Sequence, residues 1–240
     1  MISVVIFISK YENAIEGANL IKSKLKNCQI IEIEKFIKEK EIIENAIIYF
    51  LCNTKLIQQA LTNLKNCYIY NENYYLKNYK KLDVQKVLDK NNLNIPKLIK
   101  YESIKNIDFP IFCKENIHVG ITFQVYNQVT LERFFSKFNI KNFYFETSLL
   151  KINNTLNEYK VYYVDGYVTG KNNSKKISNK IKKICSKISH ALGLNIFSID
   201  VIESSDNYYI IDVNPASSFY LSDLSRKKFI YKIKEIAKSL

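Results

Sequence analysis

The stretch that decides the fold is residues 192–219, LGLNIFSIDVIESSDNYYIIDVNPASSF. Two runs within it, residues 196–202 and 208–213, are rich in the β-branched and aromatic side chains that favour strands. The polar residues 203–207 separate the two runs. The stretch therefore predicts a β-hairpin.

Acidic side chains interrupt both apolar runs of this hairpin. If the loop is centred on Asp206, strand alternation sets Asp200 opposite Asp212, with Cβ atoms about 5 Å apart. Two carboxylates at that distance repel each other, so we expect a cation beside them. With the amide oxygen of Asn214 they form a hard oxygen set that suits Mg²⁺ and leaves room for phosphate oxygens. The alternative is that Asp212 and Asn214 only begin a turn before Pro215, with Asp200 solvated.

Length and composition describe a globular chain with a sizeable core. It has 240 residues, of which 47% are hydrophobic, enough for one large or two small domains. Its longest apolar runs are far shorter than the roughly 18 residues of a membrane helix, and no charged secretory start is present. Five cysteines without a CxxC pair indicate reduced core residues. We therefore expect a cytoplasmic protein that does not enter a membrane.

The net charge of +13 comes almost entirely from lysine. Such a surplus favours a polyanionic partner, which is a nucleotide, a phosphorylated small molecule or nucleic acid. The isoleucines at 177, 181, 184 and 188 form one helical stripe, with lysines elsewhere around the axis. That pattern favours a core-facing helix with a solvated basic side over a nucleic-acid reader. We expect a small-molecule substrate, no nucleic acid, and a monomer.

The first 72 residues alternate strand and helix patterns. This order predicts a parallel sheet covered on both faces, and Gly17 as its only glycine excludes a glycine-rich phosphate loop. Residues 74–91 predict one helix, and residues 159–168 predict a second hairpin with its turn at Asp165 and Gly166.

Three segments together resemble the ATP-grasp superfamily: FPIFCK ending at Lys114, NFYFETSLL around Glu146, and the first hairpin. In that superfamily two α+β lobes hold ATP between them. The resemblance implies a mixed α/β and α+β chain, in which an ATP-grasp fold follows a small Rossmann-like parallel-sheet domain. The implied divisions are residues 1–72 for the first domain, 73–145 for the small lobe, and 146–240 for the large lobe with the metal site.

Within the superfamily, PIFCKENIHVG with VYNQVTL, the string EYKVYYVDG, and the DVN of the hairpin resemble the inositol trisphosphate and tetrakisphosphate kinases. The resemblance implies Mg²⁺- and ATP-dependent phosphoryl transfer to a hydroxyl of an inositol phosphate or a similar polyanionic small molecule. The main alternative is a carboxylate–amine ligase of the same fold that acts through an acyl phosphate. A further alternative, from another class, is a non-catalytic module that binds nucleic acid or a phosphorylated ligand.

The same resemblance implies roles for individual residues. It implies phosphate contact for Lys114 and an earlier nucleotide-binding lysine at Lys81 or Lys80. It implies an adenine pocket of Glu146, Thr147 and Leu149, and contact of Lys160 with the transferred phosphate or the substrate. It also implies a substrate-loop role for His118 and Mg²⁺ ligation by Asp200, Asp212 and Asn214. Simpler roles remain open, because strand-end lysines usually extend to water and Glu146 or His118 can be ordinary surface residues. The loops after Lys114 and over residues 169–176 are shorter than in the kinases, which leaves the substrate open.

Overall fold

The structure is a computed structural model that describes residues 2–10, 12–52, 54–117, 120–149, 157–170, 177–204 and 207–240. The strands are β1 (Ser3–Ile8), β2 (Cys28–Glu32), β3 (Ile43–Glu44), β4 (Ala46–Leu51), β5 (Leu64–Lys65), β6 (Tyr68–Ile69), β7 (Leu98–Ile99), β8 (Ile111–Glu115), β9 (Thr122–Val125), β10 (Phe143–Thr147), β11 (Asn157–Val164), β12 (Tyr167–Gly170), β13 (Ile196–Ser204) and β14 (Asn207–Asn214). The α-helices are α1 (Glu12–Lys22), α2 (Ile33–Glu39), α3 (Thr54–Leu61), α4 (Glu72–Lys77), α5 (Lys81–Lys90), α6 (Gln128–Lys137), α7 (Asn179–Leu192) and α8 (Asp223–Ser239).

The chain divides into two compact units. Unit 1 contains Met1–Asn78, Tyr159–Asp200 and Asp212–Leu240, and unit 2 contains Tyr79–Glu158 and Val201–Ile211. The boundary crosses the hairpin of β13 and β14. Each unit therefore joins segments that are far apart in the sequence, whereas the divisions expected from the sequence are consecutive and stay a prediction.

A parallel sheet with the order β2-β1-β4-β6 forms the N-terminal part of unit 1. Every side chain of β4 is buried, as are those of β1 after Ser3. Such continuous burial is what a parallel sheet covered on both faces requires, and it explains the unbroken apolar sequences VVIFI and AIIYFL. The parallel sheet expected from the alternation of strands and helices is confirmed.

Aromatic side chains join this sheet to the C-terminal part of unit 1. The ring of Tyr49 lies 5.1 Å from that of Phe229 on α8 and 5.6 Å from that of Phe219. Tyr70, which follows β6, lies 5.3 Å from Phe229. All four side chains are buried. The N-terminal sheet and the final helix therefore share one hydrophobic core.

Another four-stranded sheet has the order β12-β11-β13-β14. Its neighbouring strands β13 and β14 correspond to the two strands of the hairpin expected from the sequence. β11 and β12 pair antiparallel. Asp165 and Gly166, between them, have φ values of 44° and 85°. Two consecutive residues with positive φ are the mark of a tight type I′ turn, so the turn predicted at these residues is confirmed.

Unit 2 is built on an antiparallel sheet with the order β7-β10-β8-β9. Helix α6 begins at a cap in which the Asn127 side chain accepts the N–H of Thr130 at 3.0 Å. It covers one face of the sheet with Leu131 and Phe134, which pack with Cys113 and Phe145. The opposite face is left to carry the alternate residues of β8 and β10.

The single helix expected over residues 74–91 is wrong. The structure has two helices there, α4 and α5, and Asn78 between them has a φ of 51°. Asparagine tolerates this left-handed conformation, and the N–H of Asn78 bonds to the carbonyl of Tyr75 at 3.1 Å to close the helix. The apolar spacing continues across the break, which explains why periodicity alone joined the two helices.

Cysteines 28, 52, 113 and 185 are buried and Cys67 is half-buried, and all five are free thiols. Burial raises the pKa of the Cys28 thiol to about 11 and that of Cys113 to about 12. These side chains act as core residues, as expected. Among the helices of the described ranges, none has the length and hydropathy needed to cross a membrane.

Candidate active site

Lys160 and Asp200 form an ion pair in unit 1. The Nζ atom of Lys160 on β11 lies 2.6 Å from Oδ1 of Asp200 on β13, the neighbouring strand. The side chains are 26% and 21% exposed, so solvent or a ligand can reach both. Lys160 thus places a cation beside Asp200, while the cation expected between Asp200 and Asp212 stays a prediction.

Asp212 and Asn214 lie two residues apart on β14, the strand beside β13. Both are half-buried, and alternation places them on the same face. The Asn214 side-chain oxygen accepts the N–H of Ala216 at 3.0 Å, which is the turn of the simpler alternative. That oxygen has a second lone pair, so the turn does not prevent it from binding a metal ion. The placement of Asp200 directly opposite Asp212 stays a prediction.

This donor set fits Mg²⁺. The described residues contain no group of three or more His, Cys, Asp or Glu side chains arranged to hold a metal. Two carboxylates and one amide oxygen from adjacent strands are a smaller set of hard ligands. Mg²⁺ is typically bound in this way, with a few protein oxygens and the remaining positions taken by water and phosphate.

Polar side chains continue on the same face of the sheet beyond the ion pair. The N–H of Asp165 bonds to the carbonyl of Asn195 at 2.9 Å, which with the Lys160–Asp200 contact sets β11 antiparallel to β13. Tyr162 and Ser198 then follow the ion pair inward on adjacent strands. Their hydroxyl groups are buried and make no hydrogen bond within the described residues. Two buried hydroxyl groups therefore follow the ion pair on this face, although Tyr162 itself belongs to the hydrophobic core; no sequence pattern indicated them.

Lys114 and Glu146 form a second ion pair, in unit 2. On the paired strands Lys114 lies opposite Tyr144 and Glu146 opposite Phe112, so the two charged residues are diagonal neighbours on one face. The Glu146 side chain is 1% exposed and that of Lys114 12%. Lys114 does not extend to water and Glu146 is not a surface carboxylate, so the simpler alternatives for both are wrong.

Lys114 makes a further contact that concerns the hairpin. Its Nζ atom donates to the backbone carbonyl of Ile211 at 3.0 Å. Ile211 precedes Asp212 in the chain, and both atoms of this hydrogen bond belong to unit 2. The lysine at the end of FPIFCK therefore holds the strand one residue before a predicted metal ligand.

The remaining predicted site residues lie in unit 2. Thr147 is half-buried and its N–H bonds to the carbonyl of Lys97 at 3.0 Å, while Leu149 is buried. Lys81 is the first residue of α5 and is half-buried. His118 lies outside the described residues. The structure thus brings together Lys160 with Asp200, and Lys114 with Glu146.

A cavity of about 680 Å³ in unit 2 is a different feature. Its lining is mostly apolar and includes Leu82, Leu98, Tyr101 and Phe138, with Lys141 as a charged member. None of the predicted site residues lines it. It is therefore not the nucleotide site expected from the sequence.

Residues 159–240 match the family described as the RimK-like ATP-grasp domain. This segment contains Lys160, Asp200, Asp212 and Asn214. The structure of the ATP-grasp ligase PsnB, complexed with a minimal precursor, Mg and ADP, superposes with a TM-score of 0.69 at 12% identity, covering 98% of each chain. The chain has the ATP-grasp fold.

Two further solved structures are similar over the same length of chain. D-alanine–D-alanine ligase from Bacillus anthracis, complexed with ATP, gives a TM-score of 0.69 at 13% identity, over 98% of this chain and 100% of that one. The macrocyclase MdnC from Microcystis aeruginosa MRC, bound with the precursor peptide MdnA, gives 0.65 at 13%, with coverage of 98% and 100%. No sequence among curated proteins is significantly similar to this chain.

Two asparagines whose side chains bond to the backbone near predicted site residues were missed in the sequence. In unit 2, the side chain of Asn116 accepts the N–H of Leu82 in the first turn of α5 at 2.8 Å. In unit 1, Asn71 is fully buried and its amide bonds to the backbone on both sides of the hairpin. Only its place after a strand and before a helix hinted at a turn, because its partners lie more than a hundred residues away.

Proposed function

We propose that this chain is an Mg²⁺- and ATP-dependent ligase of the ATP-grasp fold that joins a carboxylate to an amine. The observation that carries the proposal is the overlap between the RimK-like segment and the predicted metal-site residues. The relatives named above as ligases or a macrocyclase support it, since their fold matches along the whole chain. None of these similarities supports the inositol phosphate kinase that the sequence resemblance favours, so the ligase alternative takes its place.

In this proposal Asp200, Asp212 and Asn214 hold the metal ion. A bound Mg²⁺ neutralises phosphate charge and orients the terminal phosphoryl group for in-line attack. With Asp200 as a metal ligand, Lys160 would lose its ion pair and would be able to neutralise charge on the transferred phosphoryl group. The partial exposure of both side chains supports such an exchange, because neither is enclosed by the core.

The residues of unit 2 would bind the rest of the nucleotide. Lys114 would contact ATP phosphates, with Glu146 holding its ammonium group in position before the nucleotide arrives. Thr147 and Leu149, at the end of β10, would line the adenine pocket, and Lys81 would supply another phosphate contact. A role for His118 in the substrate loop remains part of the proposal.

The reaction proceeds in two displacements. A carboxylate oxygen of the first substrate attacks the terminal phosphorus, which forms an acyl phosphate and releases ADP. The nitrogen of the amine then attacks the acyl carbon, inorganic phosphate leaves, and the nitrogen loses a proton. The protein has little covalent work in such transfers, so positioned cations supply most of the catalysis.

The substrates of the similar proteins suggest the class of carboxylate that this chain activates. The PsnB and MdnC structures are complexes with precursor peptides, and the Bacillus enzyme is a D-alanine–D-alanine ligase. We therefore propose an amino acid or peptide carboxylate as the first substrate. The absence of nucleic-acid binding and the monomeric state stay predictions.

The test incubates the protein with ATP and Mg²⁺ and follows ADP and inorganic phosphate. The panel contains D-alanine, peptides with Asp or Glu side chains, each with and without an amine, and inositol phosphates. Phosphate released only when carboxylate and amine are both present supports the ligase. ADP formed with phosphate retained on an inositol overturns it in favour of the kinase. No turnover, with steeply salt-dependent binding of nucleic acid, overturns it in favour of a binding module.

A further inference from the structure

Asn71 uses its whole side-chain amide to join backbone segments of unit 1. The oxygen accepts the N–H groups of Asn195 and Ile196 at 2.8 and 2.9 Å. The nitrogen donates to the carbonyl of Ile196 at 2.6 Å and to that of Pro215 at 3.1 Å. The side chain is fully buried, and two donors with two accepted bonds fill the capacity of an amide.

These partners mark the open end of the metal-site hairpin. Ile196 is the first residue of β13, four residues before Asp200. Pro215 directly follows Asn214, the last residue of β14. Since β13 and β14 are neighbours in the sheet, the amide connects the two strands beyond the point where their own ladder ends.

Side chains also hold the residues after β14. The Asn214 oxygen accepts the N–H of Ala216, and the Tyr49 hydroxyl donates to the carbonyl of Ser217 at 3.3 Å. Residues 215–217 are thus fixed from three sides without belonging to a strand or helix. Of the side chains Asn71, Asn214 and Tyr49, it is Asn71 that also hydrogen-bonds to β13.

Both the backbone conformation and the hydrogen bonds at position 71 require asparagine. Its backbone has φ 61° and ψ 21°, a left-handed conformation that asparagine and glycine adopt most readily. Glycine lacks the amide, and aspartate lacks the two donors that reach the carbonyls of Ile196 and Pro215. Only asparagine satisfies the backbone and all four hydrogen bonds.

We propose that Asn71 is a positioning residue for the Mg²⁺–nucleotide site, an inference that rests on the proposed function. By fixing the first residue of β13 against Pro215, it sets the offset between Asp200 and the pair Asp212 and Asn214. Mg²⁺ demands near-ideal octahedral geometry, so a small slip of one strand removes a ligand from reach. Loss of the amide therefore weakens nucleotide binding beyond its effect on folding.

The experiment compares Asn71→Gly, which keeps the backbone conformation and removes the amide, with a control of equal stability. The control is Val5→Ala or Ile48→Ala, buried core changes on β1 and β4, whichever matches the loss in unfolding temperature. Binding of AMPPNP with Mg²⁺ is measured by calorimetric titration of the full chain. A second variant, Asn71→Asp, retains the acceptor for Asn195 and Ile196 and serves if the glycine variant does not fold.

We expect Asn71→Gly to weaken Mg²⁺–AMPPNP binding by about tenfold or more relative to wild type, against about twofold or less for the control. Asn71→Asp should fall between them. Binding by either Asn71 variant that equals the stability-matched control overturns the positioning role while leaving the proposed function intact. A wild-type protein that binds no Mg²⁺–AMPPNP overturns the proposed function, and this inference with it.

Discussion

Lys160 and Asp200 show how one pair of residues can prepare a site for a charged ligand. The pair is partly exposed, so its contribution to folding is small, on the order of 1 kcal/mol or less. Its value lies in keeping a carboxylate and an ammonium group close together, where a metal ion and a phosphate can each take one of them. Activity should therefore depend on Lys160 far more than stability does.

Replacing Lys160 with Gln should lower ATP turnover by about a hundredfold, a typical cost of losing one group that stabilises charge in a transition state. The thermal unfolding temperature should change little. Lys182→Gln is the matched control, since Lys182 is exposed on α7 of the same unit. Initial-rate measurements on both variants make the test, and equal rates would contradict the role given to Lys160.

The buried pair Lys114 and Glu146 in unit 2 should affect stability strongly, unlike the partly exposed pair Lys160 and Asp200. Lys114→Met leaves the carboxylate of Glu146 enclosed without its ammonium partner, which typically costs about 3–5 kcal/mol. The double variant Lys114→Met with Glu146→Gln removes both charges and should recover most of that loss. Denaturant unfolding of the two single variants and the double variant measures the coupling. Strictly additive effects would show that the pair does not stabilise the fold.

The sequence named the four charged residues of the two ion pairs but not the partner of each one. Asp200 was singled out as an acid inside an apolar strand, whereas the roles of Lys114, Glu146 and Lys160 were implied by the family resemblance. Their pairing depends on strand register: Lys114 meets Glu146 because β8 and β10 align them diagonally. Asn71 gave no such signal, because an asparagine near a turn is common and its partners come from the other end of the chain.

The turn between β11 and β12 carries a half-buried acid, Asp165. Burial raises the pKa of the Asp165 carboxyl above its ordinary value of 3.8, and Lys232, Tyr70 and Asn195 oppose that shift only in part. The folded chain thus binds this proton more tightly than the unfolded chain does. The contribution of Asp165 to stability is therefore greatest below the ordinary pKa and is lost as the pH rises through the raised one.

Asp165→Asn should therefore raise the unfolding temperature at neutral pH and flatten its decline between acidic and neutral pH. Asparagine accepts the left-handed backbone of this turn, so the change isolates the charge. Asp89→Asn, at an exposed position on α5, is the control. A variant less stable than wild type at neutral pH would show that the attraction of Lys232 outweighs burial.

The elements themselves followed from local signals where those signals were strong. The Asp-Gly dipeptide predicted the turn of the second hairpin, and unbroken runs of β-branched residues predicted the buried strands. The break between α4 and α5 could not be predicted in this way, because Asn78 interrupts the helix by its backbone conformation while the apolar spacing continues. Left-handed caps are visible in a sequence only as one asparagine among many.

The whole molecule depends on contacts that no local pattern contains. Unit 1 gathers the N-terminal sheet, the second hairpin and α8 around Tyr49, Tyr70 and Phe229, which are separated by more than a hundred residues between the first and the last. The ATP-grasp resemblance predicted the fold but divided the chain into consecutive domains, and composition and periodicity predicted only the separate strands and helices. The resemblance was less informative about chemistry, since it favoured a kinase where the similarities favour a ligase.

The proposed function requires that Asp200, Asp212 and Asn214 hold the divalent ion that accompanies ATP. Mn²⁺ can replace Mg²⁺ among hard oxygen ligands and reports its own binding by electron paramagnetic resonance. Titration of Mn²⁺ with AMPPNP into wild type, Asp200→Asn and Asp212→Asn, with Asp89→Asn as the control, tests the claim most directly. We predict nucleotide-dependent Mn²⁺ binding to wild type and the control that falls at least about tenfold in both site variants. Equal Mn²⁺ binding by all four proteins would contradict it.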